Sequence, residues 1–254
     1  MQSYNQSLDT IAKEENLQSL NGDDKFMFEN KTAFQLLGMI NKTRDALNKE
    51  GHFDLLVDDL IRSISYSVKF SIQNVIFYAS HANNMAKEIA TSPLGEKFPV
   101  YYQTMEDKRF FYYVDSAFEK LYNFLDRMGD ILWLAFNLDI PEKEVYFGPV
   151  IKKLEKELDS SEYGKWLKEF YEDEYQQTLN YSRKDIVHYK QQGTNFFFKW
   201  LAINVDRPYD KERLQQLQDE KDNLPIILKK QLNLANLGFG KMVYFIKEEG
   251  FFEK

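Results

Sequence analysis

FFYYVDSAFEKLYNFLDRMGDILWLAFNL, running from Phe110 to Leu138, is the stretch on which the fold turns. Phe111, Val114, Phe118, Leu121, Leu125, Met128, Leu132 and Ala135 recur at steps of three or four. That spacing lays one apolar stripe along a helix predicted over roughly 107–138. Upstream, Leu56, Leu60, Ile64, Val68, Ile72, Val75 and Ala79 repeat the pattern, predicting a helix from near Asp54 to Ile89 that ends before the loop TSPLGEKFP. Two amphipathic helices of this length are expected to pack antiparallel, so the expected fold class is all-α.

Composition agrees. The chain has 254 residues, with 21 Phe and 16 Tyr against only 11 Gly and 6 Pro, which favours long helices with bulky packing. The absence of cysteine excludes disulfides, thiolate nucleophiles and zinc ribbons. With 33 basic and 40 acidic side chains the molecule repels polyanions at long range, so any nucleic-acid role must rest on a local patch. The polar start MQSYNQSLDT lacks the layout of a signal peptide, and no apolar run approaches the ~18 residues of a membrane span. A cytoplasmic location without membrane partners is expected.

Outward from the central stretch, Phe34, Leu37, Ile40 and Leu47 predict an earlier helix that stops at Gly51. Residues 1–25 end in NGDD and read as a loose leader or a short helix, and 26–254 as a single helical domain without linker or repeat. Gly148 and Pro149 predict a break before Val150–Leu158, and Ser160 or Ser161 can cap the helix that follows. That helix carries Leu167, Tyr171, Tyr175, Leu179, Ser182, Ile186 and Tyr189 on one side, which predicts either one helix continuing to Gly193 or a break where Ser182 and Asp185 resemble a weak capping box. NFFFKWLAINV, Asn195–Val205, is read as helix over strand; Phe196, Phe197, Phe198 and Trp200 fit core packing better than base stacking. A charged helix to about Asp222 and a separate last helix after Pro225 complete the prediction.

For chemistry, elimination goes far. The three histidines, His52, His81 and His188, are not spaced as metal ligands on one helix, and GxxxxGK[ST], GxGxxG and GxSxG are all absent. Neither a cofactor nor a metal is expected. Acidic runs such as Glu172–Glu174 and Asp58–Asp59 read as solvated helix faces, His81 as a cap or surface residue, and His52 as a loop residue. What remains is Arg183 and His188 in SRKDIVHY, Ser182–Tyr189. Histidine exchanges protons near neutral pH and arginine offers a permanent forked charge to phosphate oxygens. In RNA the neighbouring hydroxyl supplies the nucleophile, so these two groups are enough in kind to cleave a phosphodiester.

Spacing alone is weak: seven Arg and three His produce about 0.25 chance matches to an Arg followed by His after four to six residues. Five positions along a helix also separate two side chains by about 140° and about 7.5 Å; the length of arginine can bridge much of this if the helix begins near Ser182, and a symmetric dimer can bring two such pairs to one cleft. Otherwise Arg183 pairs with a nearby carboxylate, and His188 with a backbone carbonyl.

On Arg183-Lys-Asp-Ile-Val-His188, with an apolar pair before the His, the chain resembles the HEPN superfamily, many of whose members are metal-independent ribonucleases with Arg, four to six residues, then His. Phe110–Leu138 is similar to the long helix of a bacterial stand-alone HEPN subfamily, from about residue 30 onward. The resemblance implies a bundle of about four to five main helices with extra helices, a homodimer, RNA as substrate, and catalysis by Arg183 and His188. It also sets a toxin or defence role, with an antitoxin protein as partner, among the expectations. Lys184 stands where many members carry a polar helper and the acid follows at Asp185, so these two are expected as helper or RNA contact. Tyr189 and Lys190 depart from the tyrosine-modified branch. The competing class is a non-catalytic helical module that binds a nucleotide, RNA or protein.

Overall fold

A computed structural model of the protein describes residues 3–40, 45, 52–85, 89–91, 93–95, 97–179, 191–206 and 210–250. Among them the chain is all-α apart from one short hairpin. In order they form α1 Tyr4–Glu14, α2 Ala33–Gly38, α3 His52–Asp58, a π-helical stretch Asp59–Ile64 and α4 Ser65–Ala79. The antiparallel strands β1 Ile89–Thr91 and β2 Lys97–Pro99 follow, then α5 Met105–Ala135, α6 Phe147–Lys153, α7 Glu155–Leu158 and α8 Glu162–Phe170. A second π-helical stretch Tyr171–Leu179, α9 Gln192–Asp206 and α10 Lys211–Glu249 end it. No described helix is long and apolar enough to cross a membrane.

The chain divides into two compact units, each assembled from three separated segments. Unit 1 comprises Met1–Leu17, Phe70–Ala117 and Lys184–Lys230; unit 2 comprises Gln18–Lys69, Phe118–Arg183 and Gln231–Lys254.

In unit 1, Tyr4–Glu14 of the leader forms the short helix α1, one of the two readings its sequence allows. Ser3 and Gln6 form a capping box at the start of α1, Leu8 is buried, and Gln73 Nε2 donates to the Leu8 carbonyl at 3.0 Å. The second predicted helix stops at Ala79, ten positions early. Ser80 and His81 bond back to the Phe77 carbonyl, and the Asn83 amide is taken by Asp107 at 3.2 Å, which draws the chain off the helix. TSPLGEKFP contains β2 and the turn at Pro93–Gly95, where Gly95 adopts φ +82°, so the expected loop is a hairpin. The Asp206–Arg213 and Lys199–Glu220 ion pairs, 2.6 and 2.7 Å, lay α9 antiparallel to the first half of α10.

In unit 2 the Gly148–Pro149 pair opens a helix where a break was predicted. Proline within a first turn forfeits an N–H that has no intrahelical partner anyway. Tyr146 supplies no side-chain cap, and Asp126 on α5 accepts the Phe147 amide at 3.2 Å in its place. Gly129 makes room for this, because a Cβ there would lie 2.9 Å from Phe147 backbone atoms. Ser161 caps α8 as expected, accepting from the Tyr163 amide. α2 begins at the Thr32 capping box, and the rest of the helix expected up to Gly51 falls largely outside the described residues.

The largest departure is α10. The two helices predicted around Pro225 are one, with the proline inside. Proline has no N–H for the Lys221 carbonyl, a loss of about 3 kcal/mol in an isolated helix. Burial of Leu214, Leu217, Lys221, Leu224 and Leu228 along one side overrides it.

Candidate functional site

Arg183, Lys184, Asp185 and His188 lie outside the described residues, as does Lys190. The chain on either side of them is firmly seated. Before the segment, Tyr171, Tyr175 and Leu179 are all buried in unit 2. Their repeated spacing of four drifts around an α-helix, and the wider π-helical turn holds them closer to one line. Tyr175 packs on Tyr122 and Phe147, ring centres 5.7 and 5.3 Å away.

After the segment, α9 starts in unit 1 with its first amide, Gln192 N, donating to Asp115 Oδ1 at 3.1 Å. Gln103 Nε2 donates to the Gly193 carbonyl at 2.9 Å. A Cβ at Gly193 would stand 3.2 Å from the Phe111 ring, so glycine permits this approach. Phe196 then packs on Phe111 and Trp200 against Tyr101, as core aromatics, whereas Phe198, expected to pack with them, is exposed.

Other residues marked in the sequence have definite places. His81 is exposed, with Nδ1 2.8 Å from the Phe77 carbonyl, in the cap role expected of it. His52 opens α3 and is not a loop residue. Lys199 sits 2.7 Å from Glu220 and over the Phe196 ring, so its charge is answered within unit 1. Asp58 pairs with Arg62, Asp59 with Arg127, and Glu174 accepts from Gln231 Nε2 at 2.7 Å, while Glu172 and Asp173 are solvated.

Sequence reading missed the most deeply buried charges. Lys221 and Asp107, 3 % and 0 % exposed, pair at 2.9 Å in unit 1. Asp107 also accepts from the Asn83 amide and from the Thr104 amide and hydroxyl. Lys221 donates to the Asn83 carbonyl at 2.7 Å and lies 5.6–5.9 Å from the centres of the Tyr101, Phe110 and Phe111 rings. With every partner supplied by the fold, this pair clamps the start of α5 to α10. Two signals announce it: Thr104 three places before Asp107 resembles a cap, and Lys221 stands in register with Leu214, Leu217, Leu224 and Leu228.

Unit 2 has a half-exposed counterpart. Lys31 donates to Tyr244 Oη and Tyr163 to Glu29, both at 3.0 Å, with the two tyrosine rings 4.8 Å apart. Burial, then the Glu29 carboxylate, pushes the Tyr163 hydroxyl up to about 12, and hydrogen bonding to Tyr244 holds Lys31 above and Glu29 below their ordinary values.

A family model described as Cthe2314-like HEPN matches residues 58–246. Comparison with curated proteins and with solved structures returned no match.

Proposed function

Because the chain belongs to the Cthe2314-like HEPN family, we propose that it is an endoribonuclease that cleaves RNA without a metal ion, with Arg183 and His188 as its catalytic pair. The observation that carries this reading is positional: the string from Arg183 to His188 falls inside the stretch, 58–246, over which the family model matches. The 2′-oxygen of the substrate attacks the adjacent phosphorus and the bond to the 5′-oxygen breaks, leaving a cyclic phosphate and a free 5′-hydroxyl. His188 carries the proton traffic of this exchange, and Arg183 spreads its guanidinium across the crowded phosphorane oxygens.

A homodimer completes the cleft by bringing two Arg183 and His188 pairs together. Lys184 contacts the RNA backbone and Asp185 serves as the polar helper. A toxin or defence role, with an antitoxin protein as regulator, is the biological setting proposed for such an activity.

Purified protein incubated with single-stranded RNA in the presence of chelator is the test. Cleavage is expected from the wild type, and a loss of at least about a thousandfold from His188→Ala or Arg183→Ala with unchanged melting temperature. A wild type that never cuts, or alanine variants that cut as well as it does, would overturn the reading. RNA bound with equal affinity by all three proteins and cut by none would identify a binding module.

A further inference from the structure

We infer that the outward side of the first half of α5 is a docking surface for single-stranded RNA, built on Tyr102, Met105, Lys108, Arg109 and Tyr112. This deepens the ribonuclease reading by naming a surface that would hold the substrate, and it lies wholly within unit 1. Met105, Lys108, Arg109 and Tyr112 occur at i, i+3, i+4 and i+7, so they line one side of the helix, and Tyr102 precedes it. All five are exposed, Tyr102 and Tyr112 at 63 % and 67 %. The opposite side of the same turns, Phe110, Phe111 and Val114, is buried, so the stripe is not part of the core.

Two physical oddities single it out. Cations in the second turn of a helix oppose the positive end of its dipole. Of the two acids in the first turn, Glu106 and Asp107, the second is turned inward and paired with Lys221. Among the described residues neither Lys108 nor Arg109 forms an ion pair; Arg109 lies 5.7 Å from the centre of the Tyr78 ring, over its face. In a chain of net charge −7, two adjacent cations outside any ion pair form a local positive field that Glu106, the one neighbouring first-turn acid not buried, offsets only in part.

The second oddity is the aromatic surround. Tyr112 meets Tyr113 edge-on at 5.2 Å, Tyr113 stacks on Tyr78 at 5.9 Å and an interplanar angle of 7°, and Tyr78 meets Phe77 at 5.0 Å. An exposed phenol backed by further rings is held in place, which lowers the entropy lost when a base stacks on it. Cations for phosphate and fixed π-faces for bases, side by side, match a single strand and not a duplex, whose bases are already stacked. The two cations also leave a carboxylate-rich partner without its aromatic half used.

Fluorescence anisotropy with a labelled oligouridine of about twelve nucleotides tests the surface on the full chain. Lys108→Glu with Arg109→Glu is expected to weaken binding by about tenfold or more at low salt and to flatten the salt dependence by about two phosphate contacts. Tyr112→Ala is expected to weaken it by about fivefold or more at any salt. Unchanged affinity in both variants, with melting temperatures equal to the wild type, overturns the surface even if the wild type cuts RNA. Stripe variants that lose binding in a protein that never cuts RNA uphold the surface and sink the ribonuclease reading alone. A shift in oligomeric state by light scattering with RNA affinity intact overturns it in favour of a protein contact.

Discussion

α5 and α10 are the two longest described helices, and they hold their places by opposite means. α5 buries a nearly unbroken apolar stripe from Phe111 to Ala135. α10 interrupts its stripe with buried Gln218, Lys221, Gln231 and Asn236 and contains a proline. Each polar residue meets a partner: Gln218 Oε1 accepts the Met85 amide at 2.7 Å, Lys221 holds Asp107, Gln231 donates to Glu174, and Asn236 donates to the Gln18 carbonyl at 2.8 Å. Apolar contacts tolerate sliding, whereas each of these bonds has one correct partner. Along these stripes α5 therefore supplies bulk stability and α10 supplies registration, while the polar holds of α5, Asp107, Asp115 and Asp126, stand outside its apolar stripe.

The sharpest way to break that contrast is Lys221→Ala, expected to destabilise by about 3–5 kcal/mol in urea titration because Asp107 is left charged in the core. Lys221→Met with Asp107→Asn should recover much of the loss; if it recovers none, the pair does more than satisfy itself. On α5, Leu125→Ala is expected to remove about 2–4 kcal/mol through a cavity, with no rescue by a polar partner. Pro225→Ala should move stability the other way, raising it by about 1–2 kcal/mol as the Lys221 carbonyl gains a donor; a fall would show that the proline shapes the helix for packing. The smallest effect concerns the Tyr163 hydroxyl, whose proton is held by burial and by the Glu29 carboxylate. Since the folded value of that hydroxyl, about 12, lies above the ordinary 10.0, its contribution is complete below pH 10 and fades as pH rises toward 12. Tyr163→Phe should flatten that alkaline loss by under about 1 kcal/mol, read from melting temperature against pH.

The same contrast explains what could be read from residues alone. Hydrophobic spacing located α5 to within about three residues at either end, and core aromatics such as Phe196 and Trp200 were recognisable from their setting. The all-α class and the HEPN membership, which the family match bears out, were legible from that helix and the RKDIVH string. Features decided by long-range polar bonds were not. The stop after Ala79 depends on Asp107, 24 positions from Asn83, and the continuity of α10 through Pro225 depends on packing that local propensity cannot express. The pairing of Lys199 with Glu220, 21 residues away, is equally invisible to local spacing. At Lys108 and Arg109, on the polar side of the same helix, the sequence shows charge but not which neighbouring acids are already paired.

The threefold interleaving of each unit has a consequence for synthesis. The leader helix α1 belongs to a unit whose last segment ends at Lys230, and the Gln18–Lys69 segment to one that closes only with Gln231–Lys254. At about 5–20 residues per second, the start of the chain waits some ten to forty seconds for the partners that bury it. Most of residues 1–254 must therefore leave the ribosome before either unit can close, so the apolar faces of the early helices stay uncovered through most of synthesis.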